Sequence, residues 1–329
     1  MQNDKGYGKI KSFYKKNKRQ VNMINKVLTL VTDISDWNPN QSEWNHLINL
    51  FSDDCQRKIK SYSQLIDSKR CLIGKLLVHT LVCKNYGLRW DQVRFNLTPE
   101  GRPYLLNTLE EGMCKFDFNI SHDSNLVVVS FIEQSALKTE DSNISRIGTD
   151  VMRVSLPRGE TSINGFYELL SDYLTETELQ SLGPFFHSES SFSTNNLSLS
   201  RLIRIWTLKE SVIKAIGLGL LIDLKTLSFN SLDSCYNNQQ KNIIETCEFS
   251  SSKELYELCE PDFTVRGVKR WEDWVFWIAS IKAGDGFNYS LSVAVNLASG
   301  LDRESLREVE HNLEVVSIQK LLDKLPFKT

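Results

Sequence analysis

The run Trp206-Thr207-Leu208-Lys209-Glu210-Ser211-Val212-Ile213-Lys214-Ala215-Ile216-Gly217 sets one carboxylate, two ammonium groups and an indole within twelve residues, about three turns of an expected helix. Residues four apart share a helix face, so Trp206, Glu210 and Lys214 form one stripe that Gly217 extends, with Gly219 as the expected stop. Upstream, Ile147-Gly148-Thr149-Asp150-Val151-Met152 reads as a strand with an aspartate among apolar neighbours, a residue type that strands disfavour. Magnesium takes oxygen ligands and is commonly held by one or two carboxylates together with substrate phosphates. A carboxylate on a strand and another on a helix, with lysines beside the second, therefore point to a hard divalent cation and a phosphate-bearing ligand. Plainer readings stand next to this one. Glu210 and Lys214 alone would be a surface pair worth about 0.3–0.5 kcal/mol, and Asp150 alone could mark an exposed strand face or a strand end.

His122, in the polar stretch Ser121-His122-Asp123-Ser124-Asn125, reads either as a structural histidine or as a phosphate contact, since a neutral imidazole can donate to an anion without burying a charge. Gly101-Arg102-Pro103 reads as a plain turn or as a place where backbone approaches a ligand closely. Neither a G-x-x-x-x-G-K-[ST] loop, nor G-x-G-x-x-G, nor a G-x-S-x-G elbow is present.

The 329 residues suffice for about two domains. A net charge of −2 gives no global drive toward nucleic acid or anionic membrane, and no apolar run reaches the length of a membrane span. Seven cysteines, an odd number without a C-x-x-C pair, argue against a disulfide framework and for reduced thiols in a cytoplasmic protein.

These groups must be positioned by elements that the patterning outlines. A basic, disordered lead-in is expected over residues 1–20, with a mitochondrial presequence as the alternative. Val27–Val31 reads as a strand and Gln41–Leu50 as a helix; Asp67 reads as the N-cap of a helix running through Tyr86 to a stop at Gly87. Strands are expected at Val93–Leu97, Phe116–Ile120, Leu126–Ile132 and Arg146–Met152. Residues 155–162 read as a linker, Phe166–Leu174 and Glu176–Leu182 as helices, Gly183–Ser200 as a Ser/Asn-rich loop, and Leu202–Ile216 as the helix of the opening motif. Leu224–Phe229 and Phe263–Val265 are weaker strands, Trp274–Ile281 and Tyr289–Val295 a hairpin through Gly284-Asp285-Gly286, and residues 302–323 an amphipathic C-terminal helix. The fold class is α+β, divided into lobes at 21–154 and 163–329.

In this order the segments resemble the 4′-phosphopantetheinyl transferases of the long, two-lobed, surfactin-synthetase-activating type. The likeness rests on Gly101-Arg102-Pro103, on Phe118-Asn119-Ile120-Ser121-His122, on the Asp150 strand, and on Trp206-x-x-Lys209-Glu210-Ser211-x-x-Lys214-x-x-Gly217. The last is the specific signature, and a looser likeness covers Asp67–His79. The Asp150-x-Met152 form is similar to the fungal and animal branch, which includes the enzyme that activates aminoadipate reductase in lysine biosynthesis. Bacterial relatives commonly have Glu at the place of Met152, so water or a phosphate oxygen would complete the metal shell here.

The resemblance implies a monomeric pseudo-dimer of two similar α+β lobes with coenzyme A in the cleft between them. It implies that Asp150 and Glu210 hold Mg²⁺, that Lys214 meets the phosphates, and that Gly101, Pro103, Asn119, Ser121, His122 and Lys209 lie along coenzyme A. Lys69, Arg70, Lys75 and Arg102 become candidates for the 3′-phosphate end. Glu210, with Glu168 as runner-up, becomes the base that activates a serine of an apo carrier domain, that of aminoadipate reductase being the expected partner. The alternatives are a non-catalytic coenzyme A- or carrier-binding module and another Mg²⁺-dependent nucleotide enzyme.

Overall fold

Two four-stranded sheets organise the chain, each with helices on one face and the other sheet on its other face. The computed structural model describes residues 24–107, 115–134, 145–186, 192–219, 222–229, 256–257, 274–298 and 311–325. The basic lead-in, the strand expected at 263–265, and Cys114, Cys235, Cys247 and Cys259 lie outside these; Cys55, Cys71 and Cys83 are free thiols.

The first sheet runs β10-β1-β5-β4, from β1 (Ile24–Asp33), β4 (Lys115–Asp123), β5 (Leu126–Gln134) and β10 (His311–Val315). The second runs β6-β9-β8-β7, from β6 (Arg146–Arg153), β7 (Tyr256–Glu257), β8 (Trp274–Lys282) and β9 (Asn288–Asn296). A small ribbon pairs β2 (Phe95–Leu97) with β3 (Pro103–Leu105). The centre of the first sheet explains why β5 reads Leu-Val-Val-Val-Ser-Phe-Ile: it is buried on both faces. One face, with Phe118, Val127, Val129 and Phe131, packs on α1 (Gln41–Asn49), α2 (Asp53–Lys60) and α3 (Leu65–Tyr86). The other, with Val27, Val31, Val128 and Ile132, meets Ile147, Val151, Val275, Leu291, Val293 and Val295 of the second sheet. Beyond that sheet, Trp274, Phe276 and Ile278 pack against α4 (Ile163–Ser171), α5 (Glu176–Phe186) and α6 (Phe192–Ile216). The mixed α+β class is thus as expected, in four layers.

Where the sequence reading and the structure part, the cause is packing. The helix ending at Gly87 (φ 64°) is as read, but Gln64 stands at the N-cap position, without a side-chain capping bond, and Asp67 sits in the first turn, paired with Arg70. The Ser/Asn-rich stretch is not all loop: residues 183–186 finish α5 and 192–200 begin α6, where Ser198 and Leu199 are buried, so tertiary packing overrides weak helix propensity. Residues 187–191 lie outside the description. Leu224–Phe229 is no strand; it opens with a 3-10 turn at Leu224–Thr226. The C-terminal helix expected over 302–323 is replaced, in its described part, by β10 and the short α7 (Ile318–Leu322). β10 runs parallel to β1, and Val316 N extends the pairing by donating to Val31 O (2.8 Å). Helix α6 ends at Gly217 (φ 81°) rather than at Gly219.

Helix α6 lies directly on β6 at Gly148. A Cβ there would stand 2.0 Å from Ser211 O and 2.3 Å from Ala215 N, so only glycine lets the two backbones meet. Gly148→Ala is expected to cost about 3 kcal/mol or more as overpacking, read as a lowered urea midpoint at unchanged slope.

Candidate functional site

The two sheets present edge strands to each other, and polar side chains join them. On β4, Asp117, Asn119, Ser121 and Asp123 share one face by the period of two. Each accepts a backbone N–H from β6: Ile147 N to Asp117 Oδ2 (2.8 Å), Thr149 N to Asn119 Oδ1 (3.0 Å), Val151 N to Ser121 Oγ (3.2 Å) and Arg153 N to Asp123 Oδ2 (2.6 Å). This ladder satisfies amides that an edge strand would otherwise leave open. It also fixes which residues of β6 can face β4.

Asp150 comes out beside the third rung. Ser121 Oγ donates to Asp150 Oδ1 (2.9 Å), and Lys214 Nζ donates to the same oxygen (2.5 Å) and to Ser121 Oγ (3.0 Å). Asp150 is 8 % exposed. Helix α6 delivers Lys214 because Leu208, Val212 and Ala215 are buried beneath it, while Trp206, Glu210, Lys214 and Gly217 form its partly exposed stripe, as the spacing predicts. Burial and then the negative charge of Asp150 push the Glu210 carboxyl above its usual range, and Lys214 opposes this. His122, on the opposite face of β4 from Ser121, is an exposed residue among packed neighbours. Partial desolvation and then the charges of Arg70 and Lys214 lower its pKa, so the ring is neutral at neutral pH. Arg70 is held by Asp67 (2.7 Å) and by the carbonyl of Ser124 (2.7 Å).

The structure thus brings together Asp150, Glu210, Lys214, Ser121, His122 and Arg70. Other expected site residues are engaged elsewhere. Lys209 was expected along a ligand; it is instead fully buried, paired with Glu178 (2.7 Å) and donating to the carbonyls of Tyr173, Leu224 and Leu227. Those carbonyls explain why residues 224–227 form a turn and not a strand. Lys69 is buried and donates to Trp37 O (2.6 Å) and Asn38 Oδ1 (3.1 Å). Lys75 points its charge at the thiols of Cys55 and Cys71, which desolvation raises and this lysine lowers. Asn119 is a rung of the ladder, Gly101 turns with φ 88°, and Pro103 opens β3 half-buried. The Arg102 guanidinium is buried against Asp117. Glu168 stands on the exposed side of α4, and among the described residues no hydrogen bond joins its carboxylate to the group around Asp150. Asp117 was missed altogether, although the alternation Asp-x-Asn-x-Ser-x-Asp signals a polar inward face.

Among the described residues no group of three or more His, Cys, Asp or Glu is arranged to hold a metal ion. The donor set is two carboxylates from different elements whose charges repel, as the shift at Glu210 records. That set suits a hard cation that draws further oxygens from water and phosphate. In metal-free protein the raised Glu210 carboxyl is destabilising once ionised. Its contribution is harmless below the unfolded carboxylate range and grows worse as pH rises through the folded value. Glu210→Gln is therefore expected to melt higher than the native chain at pH 7–8 in chelator, and to show no such gain near pH 4. Thermal melts across that range check it.

Among the described residues no helix is long and apolar enough to cross a membrane. Residues 35–134 match the family described as 4′-phosphopantetheinyl transferase, N-terminal, and residues 146–265 match the 4′-phosphopantetheinyl transferase superfamily. The chain is 28% identical over 194 residues to the L-aminoadipate-semialdehyde dehydrogenase-phosphopantetheinyl transferase of Mus musculus, covering 59% of this chain and 57% of that protein. It is 28% identical over 182 residues to a 4′-phosphopantetheinyl transferase of Paxillus involutus, 54% of this chain and 64% of the other. It is 26% identical over 193 residues to one of Bacillus subtilis, 57% and 70%. The alignments with the mammalian relatives thus span little more than half the length of those proteins.

Proposed function

The chain belongs to the 4′-phosphopantetheinyl transferase superfamily, and on that premise we propose that it moves the 4′-phosphopantetheine arm of coenzyme A to a serine of an apo carrier domain, releasing 3′,5′-ADP. The observation that supports this best is the meeting of Asp150, Glu210 and Lys214 at the joint between the two sheets. Phosphoryl transfer asks for in-line positioning and charge neutralisation more than for covalent help from the protein. A divalent cation between Asp150 and Glu210 would supply charge neutralisation at the attacked diphosphate.

The chain's own groups do the rest. Lys214 carries a positive charge to the place where negative charge grows on the leaving phosphate. Ser121 and Asp150 aim that ammonium. His122 donates to a phosphate oxygen as a neutral ring, and Arg70 beside it adds a fixed charge. Glu210, whose carboxyl is held above its usual range by burial and then by Asp150, is the base that accepts the proton of the incoming serine hydroxyl, as a positioned carboxylate does in general-base catalysis. Glu168, exposed on α4, is not required: Glu168→Ala is expected to turn over at a near-native rate, and a severe loss would hand it the base role.

Two lobes, one built on the sheet β10-β1-β5-β4 and the other on the sheet β6-β9-β8-β7, with the ligand lying between them, form a pseudo-dimer within one polypeptide that acts as a cytoplasmic monomer. The name of the mammalian relatives directs the choice of acceptor to the carrier domain of aminoadipate reductase in lysine biosynthesis. The test is mass spectrometry of that apo domain after incubation with this protein, coenzyme A and Mg²⁺. A gain of one phosphopantetheine on the carrier serine is expected. Binding of coenzyme A with no mass gain would leave a non-catalytic binding module as the function.

A further inference from the structure

Arg102 is 7 % exposed and its guanidinium meets three separate elements, β4, β6 and α6. Its Nη2 donates to Asp117 Oδ2, to the carbonyl of Ile147 (2.8 Å) and to that of Phe118 (3.3 Å). Its Nη1 donates to the backbone carbonyl of Lys214. The turn behind it is closed by Thr98 N donating to Arg102 O (2.8 Å). Its stem packs on the end of α6, where a Cβ at Gly217 would come within 3.0 Å of Arg102 Cδ. Asp117, 3 % exposed, also accepts from Ile147 N (2.8 Å), so its carboxylate is fixed from both sides.

The Lys214 carbonyl belongs to the last turn of α6, where backbone carbonyls have no helical partner. A cation there also meets the negative end of the helix. The ammonium of the same residue sits on Asp150 and Ser121. Lys214 is thereby held at both ends, its backbone by Arg102 and its charge by Asp150. A lysine in the place of Arg102 would not serve, because the two arms of the guanidinium answer to different elements.

We propose that Arg102, oriented by Asp117, is a positioning residue that sets the reach of Lys214 toward the diphosphate, and is not a ligand of the nucleotide 3′-phosphate. This rests on the transferase reading above. Misplacing a catalytic charge by an ångström lowers turnover without weakening substrate binding, by about 10- to 100-fold.

The test compares kcat and KM for coenzyme A and for 3′-dephospho-coenzyme A in the native chain, Arg102→Lys and Asp117→Asn. The last keeps a side-chain acceptor for Ile147 N and nearly the native volume, so it serves where changes at Arg102 prevent folding. The expected result is a kcat lowered about 10- to 100-fold with both donors at near-native KM in each folded variant. A KM raised for coenzyme A but not for the dephospho form would make Arg102 a phosphate ligand and overturn the proposal. Native kcat in Asp117→Asn, or failure of both variants to fold, would overturn it as well. No transfer by the native chain from either donor would sink the transferase reading itself, and this inference with it.

Discussion

Asp150→Asn is expected to abolish carrier loading, with turnover lowered about 10³-fold or more, equivalent to about 4 kcal/mol of barrier. Asparagine keeps the size of the side chain and can still accept from Ser121. It lacks the charge that anchors Lys214 at 2.5 Å and faces Glu210. The loss should therefore fall on chemistry and metal dependence and not on folding. Two readouts separate these: the phosphopantetheine mass gain on the carrier, and thermal melting of the variant, which should stay near native. Higher Mg²⁺ should restore little, because the remaining carboxylate, Glu210, lies on the helix and cannot replace an oxygen offered from β6. A variant that loads carrier at the native rate would show that the ion, if one is used, is held elsewhere.

Lys209→Met is expected to do the reverse and cost stability more than chemistry. Lys209 and Glu178 are both fully buried and paired at 2.7 Å. Burial pulls the lysine pKa down, and the glutamate opposes that shift. Glu178 also receives backbone N–H groups from Thr175 (2.8 Å) and Phe229 (2.8 Å), so it stays in place when its partner goes. Removing one member of a buried pair strands the other charge, at about 3–5 kcal/mol. For a chain of this size each kcal/mol moves Tm by about 2–4 °C, so the melt should fall by roughly 10 °C. Adding Glu178→Gln removes the stranded charge and keeps an amide oxygen for one backbone donor, so the double variant should regain part of the loss. A single variant melting near native would mean that Lys209 is not the strut its contacts describe.

This lysine illustrates what the sequence could and could not disclose. The signature around Glu210 located the helix and its working stripe, because one face of a helix is written in the spacing of its residues. It could not say that Lys209, one position from Glu210, turns inward, since that depends on Glu178 and on a turn at 224–227 distant along the chain. Helix α3, the hairpin of β8 and β9, and strand β5 were legible from periodicity and from runs of β-branched residues. The C-terminal segment was misread because its helix-like spacing competes with a parallel partner that lies at the other end of the sequence. Asp117 and Arg102 carry the same lesson: one was overlooked in its strand and the other taken for a phosphate contact, because their partnership spans two elements and is not written in local spacing.

The strand at His311–Val315 completes the sheet that Ile24–Asp33 began. On a ribosome the completing piece appears about 280 residues later, which at typical elongation speeds is roughly 15–60 s. Through that interval the open flank of β1 is free to pair with any passing polypeptide. Chaperone dependence during synthesis, and heavy aggregation of chains stopped before residue 311, are the outcomes this threading entails.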